Sequence, residues 1–166
     1  LFCIAGMGVC LFSAYINTFF AAIYQSDELA AAVEIAPVTE EVMKLLPLLF
    51  YLLVFEPEPV RIKNAAITIA VSFATFENIC YLTQNGAGHF SLIFFRGFGT
   101  GAMHVVCGVI VGAGLAYAWQ RTWLKVAGTC GLLGAAITFH AIYNLLIAYG
   151  STAQYIAYIL PVLLMA

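Results

Sequence analysis

The sequence predicts an all-α fold, a polytopic membrane helix bundle of about six transmembrane helices, and a single transmembrane domain over residues 1–166. Hydrophobic residues make up 64% of the chain and charged residues only 8%, whereas soluble domains carry about a quarter charged residues. The mean hydropathy is +1.01. Such a chain cannot cover a water-facing surface, so it requires a lipid bilayer, and its net charge of −2 does not favour nucleic acid as a partner.

The apolar runs are each about as long as a membrane span, roughly 20 residues, and turn residues separate them. Turn and loop signals occur at 25–28, 56–63, 85–89, 121–125 and 150–152. Ser26 or Asp27 is the expected N-cap of the second helix. The predicted helices cover approximately residues 1–25, 29–55, 64–84, 97–120, 126–149 and 153–166.

The fourth helix has two special features. The apolar piece at 90–95 is too short to span a membrane, and it is predicted to form a re-entrant or interfacial segment before that helix. Gly108 and Gly112 have the small-xxx-small spacing that lets a neighbouring helix approach closely.

Basic residues predict the orientation in the membrane. Arg61 and Lys63 lie between the second and third helices, and Arg121 and Lys125 lie between the fourth and fifth. The number of spans places both pairs on one side, which the positive-inside rule makes cytoplasmic. The N-terminal end of the first helix is then also expected to be cytoplasmic.

The second helix contains the most unusual residues of the chain. Glu40, Glu41 and Lys44 lie within an otherwise apolar run, between Pro37 and Pro47. A charged side chain at the centre of a bilayer costs at least about 2.5 kcal/mol, so such residues indicate a functional site. The prolines predict a kink or a local opening of the helix near Glu40.

Ionisable residues on three other helices lie at a similar depth. At about 1.5 Å per residue, Glu40, Glu77, His104 and His140 lie roughly 10–17 Å from the outer ends of their helices. The sequence therefore predicts one site in the outer half of the membrane. Asn144 lies one turn after His140 and shares its helix face.

The residue types indicate hydrolysis of a peptide bond. Glu77, His104 and His140 supply one carboxylate and two imidazoles, the ligand set of many catalytic zinc sites. Zinc or another divalent metal is therefore the expected cofactor, and Glu40 or Glu41 would act as the general base on a bound water.

A mechanism without metal is the alternative. A buried glutamate would then activate water directly, while an imidazole and the amide of Asn144 stabilise the oxyanion. In either mechanism Lys44, Asn78 and Arg96 are supporting residues, which pair with carboxylates or satisfy backbone groups.

These residues also form four ordered motifs, and with them the chain resembles the PrsW family of intramembrane proteases, which is related to the CAAX prenyl proteases. The motifs are Glu40-Glu41-x-x-Lys44, Phe73-x-x-x-Glu77-Asn78, Arg96 followed by His104, and His140-x-x-Tyr143-Asn144. The related CAAX enzymes have a histidine in place of Glu77, so Glu77-Asn78 indicates the PrsW branch.

The resemblance implies an endopeptidase of a prokaryotic cell membrane whose substrate is a membrane-anchored protein. In the best-known role of the family, that substrate is an anti-sigma factor, which receives its first, site-1-type cut on the extracytoplasmic side. The resemblance also favours Glu40 over Glu41 as the base, because the matching first glutamate is the critical one in the CAAX relatives.

Two other classes of function fit the same residues. Buried glutamates and histidines also form proton relays in proton- or ion-coupled transporters, although no inverted repeat is visible here. A non-enzymatic immunity or scaffold protein would keep the fold without the reaction. Neither the substrate nor the oligomeric state follows from the sequence.

Overall fold

The computed structural model describes residues 1–85 and 94–165, which contain six helices and no strand. A 3-10 turn at Thr122–Leu124 precedes the fifth helix. The helices are α1 (Phe2–Tyr24), α2 (Glu28–Ala30, continued by a π-helical turn at Ala31–Ile35 and by Ala36–Phe55), α3 (Pro59–Asn85), α4 (a π-helical turn at Arg96–Thr100, continued by Gly101–Ala118), α5 (Lys125–Tyr149) and α6 (Ser151–Met165).

Four segments are long and apolar enough to cross a membrane: Phe2–Tyr24, Pro59–Gln84, Arg96–Ala118 and Thr122–Tyr149. They correspond to α1, α3, α4 and α5. Helix α2 carries three charged residues in its central turns, and α6 is a shorter apolar helix. The predicted class, an all-α polytopic membrane bundle, is confirmed. The predicted turn at 85–89 and the short segment at 90–95 lie mostly outside the described residues.

Helix α3 begins five residues earlier than the sequence predicted, and α2, α4, α5 and α6 begin one or two residues earlier. The expected loop at 56–63 ends at Pro59, where α3 starts, so Arg61 and Lys63 lie in the first turns of that helix. Proline is compatible with a first helical turn because the N–H that it lacks would be unpaired there anyway. Likewise, Lys125 was assigned to a loop but begins α5.

Small residues allow α3 and α4 to pack closely. A Cβ atom on Gly108 would lie 2.6 Å from the Cβ of Ala70, and one on Gly112 would lie 2.8 Å from the Cβ of Ala66. Real Cβ atoms do not approach so closely, so both glycines are required by the packing. The close helix contact predicted from their spacing is therefore confirmed.

The two basic connections lie at the same end of the bundle. One pocket is lined by Glu56, Pro57 and Glu58 from the α2–α3 connection together with Gln120 and Lys125 from the α4–α5 connection. This agrees with the counting of spans in the sequence. Glu40 lies 16 residues before Glu56, so its helix places it about 24 Å from this end.

Helix α2 is irregular just before its charged residues. Asp27 caps it, since its Oδ1 accepts a hydrogen bond of 2.7 Å from the backbone N–H of Ala30. The π-helical turn at Ala31–Ile35 follows, and Pro37 stands at the start of the next α-helical stretch. The local opening that the prolines predicted near Glu40 thus occurs about one and a half turns before it.

Candidate active site

The buried charged residues of α2 face polar residues of α3, α4 and α5 inside the bundle. Glu40, Glu41 and Lys44 are buried on α2, and His104 on α4 and His140 on α5 are buried beside them. A bundle interior normally excludes ionised groups unless they have partners. The partners of each group therefore define what the site can do.

Glu41 is paired from two sides. Its Oε1 accepts a hydrogen bond of 2.5 Å from Lys44 Nζ and one of 2.8 Å from His140 Nδ1. Because Nδ1 of His140 carries the proton toward Glu41, Nε2 of the neutral ring keeps a free lone pair. Glu41 thereby fixes both the tautomer and the orientation of His140.

His104 is completely buried and held at both ring nitrogens. Lys44 Nζ donates to its Nδ1 over 3.0 Å, so Nε2 carries the ring proton and donates to Glu77 Oε2, also over 3.0 Å. The ring of Phe73 lies 5.1 Å from the imidazole, centroid to centroid. The same phenyl ring lies 4.9 Å from Lys44 Nζ, a cation–π contact.

Glu77 lies at the more accessible edge of the site, with 25% of its side chain exposed. Its Oε1 accepts a hydrogen bond of 3.0 Å from Arg96 Nη2, while its Oε2 contacts His104. Arg96 begins the π-helical turn of α4, and its guanidinium also lies 3.8 Å from the ring centre of Tyr81. Arg96 therefore compensates the charge of Glu77, as expected of a supporting residue.

Glu40 has one held and one free oxygen. Its Oε1 accepts a hydrogen bond of 3.2 Å from Asn17 Nδ2 on α1. Its Oε2 is buried, has no hydrogen-bond partner among the described residues, and lies 3.8 Å from Nε2 of His140. A carboxylate oxygen and an imidazole lone pair thus face each other, and only a proton, a water molecule or a cation can join them.

A divalent metal fits this arrangement in three respects. Glu40, His104 and His140 each offer one ligand atom, and these atoms lie within 4.8 Å of one another. Ligands on a tetrahedral zinc ion lie about 3.3 Å apart, and Glu40 Oε2 lies 3.8 Å from His140 Nε2. With neutral imidazoles, the site has three carboxylates, Glu40, Glu41 and Glu77, and two cations, Lys44 and Arg96. One negative charge is left over, which a metal cation would offset.

The two remaining amides of the predicted site have other surroundings. Asn144 Nδ2 donates a hydrogen bond of 2.8 Å to the carbonyl oxygen of Ala32, in the π-helical turn of α2. Its contact in this structure is therefore with the backbone, and its oxyanion role stays a prediction. Asn78 lines a groove between α3 and α4, and its Oδ1 is buried without a partner among the described residues.

Other contacts at the site were not foreseen. The sequence does not predict that Asn17 of the apolar first helix contacts Glu40, or that Thr39 contacts Asn17. Tyr143 Oη lies 3.2 Å from Thr100 Oγ1, which ties α5 to the π-helical turn of α4. The one signal for Asn17 was that it is an amide in the middle of a spanning helix, where polar groups require a partner.

Comparison with known families identifies the chain. The family model described as PrsW family intramembrane metalloprotease matches residues 1–166, the whole chain. The chain therefore belongs to this family, and it is an intramembrane protease and a multi-pass integral membrane protein. No curated protein and no solved structure matches it.

Proposed function

We propose that this protease cleaves a membrane-anchored protein in the outer half of the bilayer, with a water molecule activated by Glu40. The observation that carries the proposal is the buried Oε2 of Glu40, which has no hydrogen-bond partner within residues 1–85 and 94–165 and faces Nε2 of His140. The distance of Glu40 from the basic end of the bundle supports the location, because basic loops face the cytoplasm. A single-span, anti-sigma-factor-like protein is the substrate that the family suggests.

The reaction requires one proton to move twice. Glu40 Oε2 accepts a proton from water as the water oxygen attacks the scissile carbonyl carbon. Glu40 then returns this proton to the amide nitrogen as the C–N bond breaks, leaving a carboxylic acid and an amine. Glu41 and Lys44 hold the two imidazoles in place, so the reacting groups are aligned before the substrate arrives.

In the assignment that the sequence predicts, Glu77, His104 and His140 would hold the metal. His140 Nε2 has a free lone pair. For His104 to bind a metal through Nε2, its ring proton would have to move to Nδ1, and Lys44 Nζ would no longer donate to that nitrogen. When bound, the ion supplies Lewis-acid polarisation of the scissile carbonyl and a more acidic water.

A second assignment of the carboxylates is favoured by the grouping of Glu40 with His104 and His140. In this assignment Glu40 is the third metal ligand, and Glu77 is the carboxylate beside the reacting water. The two assignments share the same residues and the same reaction, but they differ in which carboxylate the metal needs.

Isosteric variants separate the assignments. Glu40→Gln and Glu77→Gln would be compared with wild-type protein for cleavage of a single-span substrate in liposomes and for Co²⁺ binding, followed by visible absorption. Glu34→Gln is the matched control, because Glu34 is an exposed glutamate of the same helix.

We expect Glu40→Gln to bind Co²⁺ like the wild type and to lose about 10²–10⁴-fold in kcat, the usual contribution of a general base. Glu77→Gln should bind Co²⁺ more weakly. The reverse pattern would establish the second assignment. Full cleavage by both variants would refute the proposed site.

A further inference from the structure

A chain of hydrogen bonds connects α1 to the reacting carboxylate. The hydroxyl of Thr39 donates to Oδ1 of Asn17, and Nδ2 of Asn17 donates to Oε1 of Glu40 over 3.2 Å. Within the described part of the chain, Asn17 is the only residue of α1 that forms a hydrogen bond with Glu40. A helix outside all four family motifs thus contributes directly to the position of Glu40.

The direction of these hydrogen bonds follows from the chemistry of the groups. An ionised carboxylate only accepts hydrogen bonds, so Asn17 must present its NH₂ group to Glu40 and its carbonyl oxygen to Thr39. The Thr39 hydroxyl has one proton, and the carbonyl oxygens of Ile35 and Ala36, each 3.1 Å away, compete for it. When Thr39 donates to Asn17, the amide is held in the orientation that Glu40 needs.

The consequence for Glu40 is an unequal pair of oxygens. Asn17 occupies Oε1, whereas Oε2 has no hydrogen-bond partner in the described part of the chain and lies 3.8 Å from His140 Nε2. Without the amide, rotation of the carboxylate would exchange the two oxygens or turn both away from His140. The neighbouring carboxylate of Glu41 needs no amide to fix its orientation, because Lys44 and His140 already donate hydrogen bonds to it.

We propose that Asn17 is a positioning residue of the active site, oriented by Thr39, which fixes the Glu40 carboxylate so that Oε2 faces the reacting water. This inference rests on the proposed function, since it assigns a partner to the proposed base. In this role Asn17 acts through Glu40 and not on the scissile bond. Its loss should therefore lower kcat and leave KM nearly unchanged.

The test measures kcat and KM for cleavage of a single-span substrate in liposomes by five variants. Asn17→Ala removes the amide, Thr39→Val removes the hydroxyl at constant shape, and Thr39→Ser keeps the hydroxyl. The double variant Asn17→Ala/Thr39→Val tests whether the two residues act in series. Thr18→Val is the matched control, because the exposed Thr18 hydroxyl donates a hydrogen bond to the carbonyl oxygen of Ala14 in the same helix and to no other described residue.

We expect Asn17→Ala to lower kcat about tenfold or more, the range seen when an outer-shell partner is removed, with KM within about twofold of wild type. Thr39→Val should lower kcat less, Thr39→Ser should restore it, and the double variant should be no worse than Asn17→Ala alone. Thr18→Val should behave as wild type.

Each contrary result has a definite meaning. Wild-type kcat in Asn17→Ala overturns the inference, as does equal loss in Thr39→Ser and Thr39→Val or a fully additive double variant. If Asn17→Ala does not fold, as judged by its thermal unfolding in detergent, the Thr39→Val and Thr39→Ser pair decides alone. Wild-type protein that does not cleave refutes the proposed function itself, and the inference falls with it.

Discussion

The buried ion pair between Lys44 and Glu41 predicts a large loss of stability when only one partner is removed. Lys44 is 7% exposed, and its Nζ lies 2.5 Å from Glu41 Oε1 and 3.0 Å from His104 Nδ1. Lys44→Met keeps an unbranched side chain that is one heavy atom shorter, but it leaves the charge of Glu41 without its cation. Breaking a buried pair in this way costs about 3–5 kcal/mol of the free energy of unfolding.

Removing both charges should cost much less. In the double variant Lys44→Met/Glu41→Gln neither member of the pair carries a charge, and replacing a whole buried pair by uncharged groups is often close to neutral. We therefore expect the double variant to recover most of the stability that Lys44→Met loses. The difference between the double variant and the sum of the single variants measures the coupling of the pair.

The assay is reversible unfolding in mixed micelles with increasing dodecyl sulfate, followed by circular dichroism. Arg121→Met is the matched control, because Arg121 is an exposed cation whose guanidinium lies over the ring of Tyr117. Its stability should stay within about 0.5 kcal/mol of wild type. A loss below about 1 kcal/mol in Lys44→Met, the range of an exposed ion pair, would show that the pair is not buried as described.

Two further predictions concern packing and metal. Gly112→Ala should destabilise the protein by about 1–3 kcal/mol, because its new Cβ would lie 2.8 Å from Ala66 Cβ. Gly131→Ala is the control, since a Cβ at that position meets nothing within 4 Å and should not change the stability. Equal stability of the two variants in the same unfolding assay would contradict the close α3–α4 contact. Treatment with the chelator 1,10-phenanthroline should abolish cleavage, and added Zn²⁺ should restore it. The non-chelating 1,7 isomer is the control and should have no effect. Full activity after verified metal removal would favour the mechanism without metal.

The number and approximate position of the helices could be predicted because the length of an apolar run is set by the thickness of the bilayer. The starts of α3 and α5 could not, since Pro59 and Lys125 are compatible with either a loop or a first helical turn. The π-helical turn at Ala31–Ile35 was also beyond prediction. One of its carbonyl oxygens is satisfied by Asn144, which lies 112 residues later in the chain.

The ionisable residues of the site were visible in the sequence because each is expensive to bury in a membrane. The depth of each residue along its helix predicted one layer that contains Glu40, Glu77, His104 and His140. In the structure Glu40, His104 and His140 lie together, and Glu77 contacts His104. Depth does not show which atoms meet, so it cannot distinguish Glu40 from Glu77 as a metal ligand, and the isosteric variants of the two residues make that distinction. The role of Asn17 could not be predicted, because a single neutral amide in an apolar helix indicates a functional site much less strongly than a charged residue does.

The two adjacent glutamates of α2 illustrate how three-dimensional contacts divide roles that sequence leaves equal. Glu41 accepts hydrogen bonds from a lysine and a histidine, and protonation of that oxygen would break both contacts. Glu40 can take up a proton at Oε2 without losing any contact, because Asn17 holds the other oxygen. We therefore propose Glu40, whose Oε2 makes no hydrogen bond within the described residues, as the base, and Glu41, held by Lys44 and His140, as the support for His140.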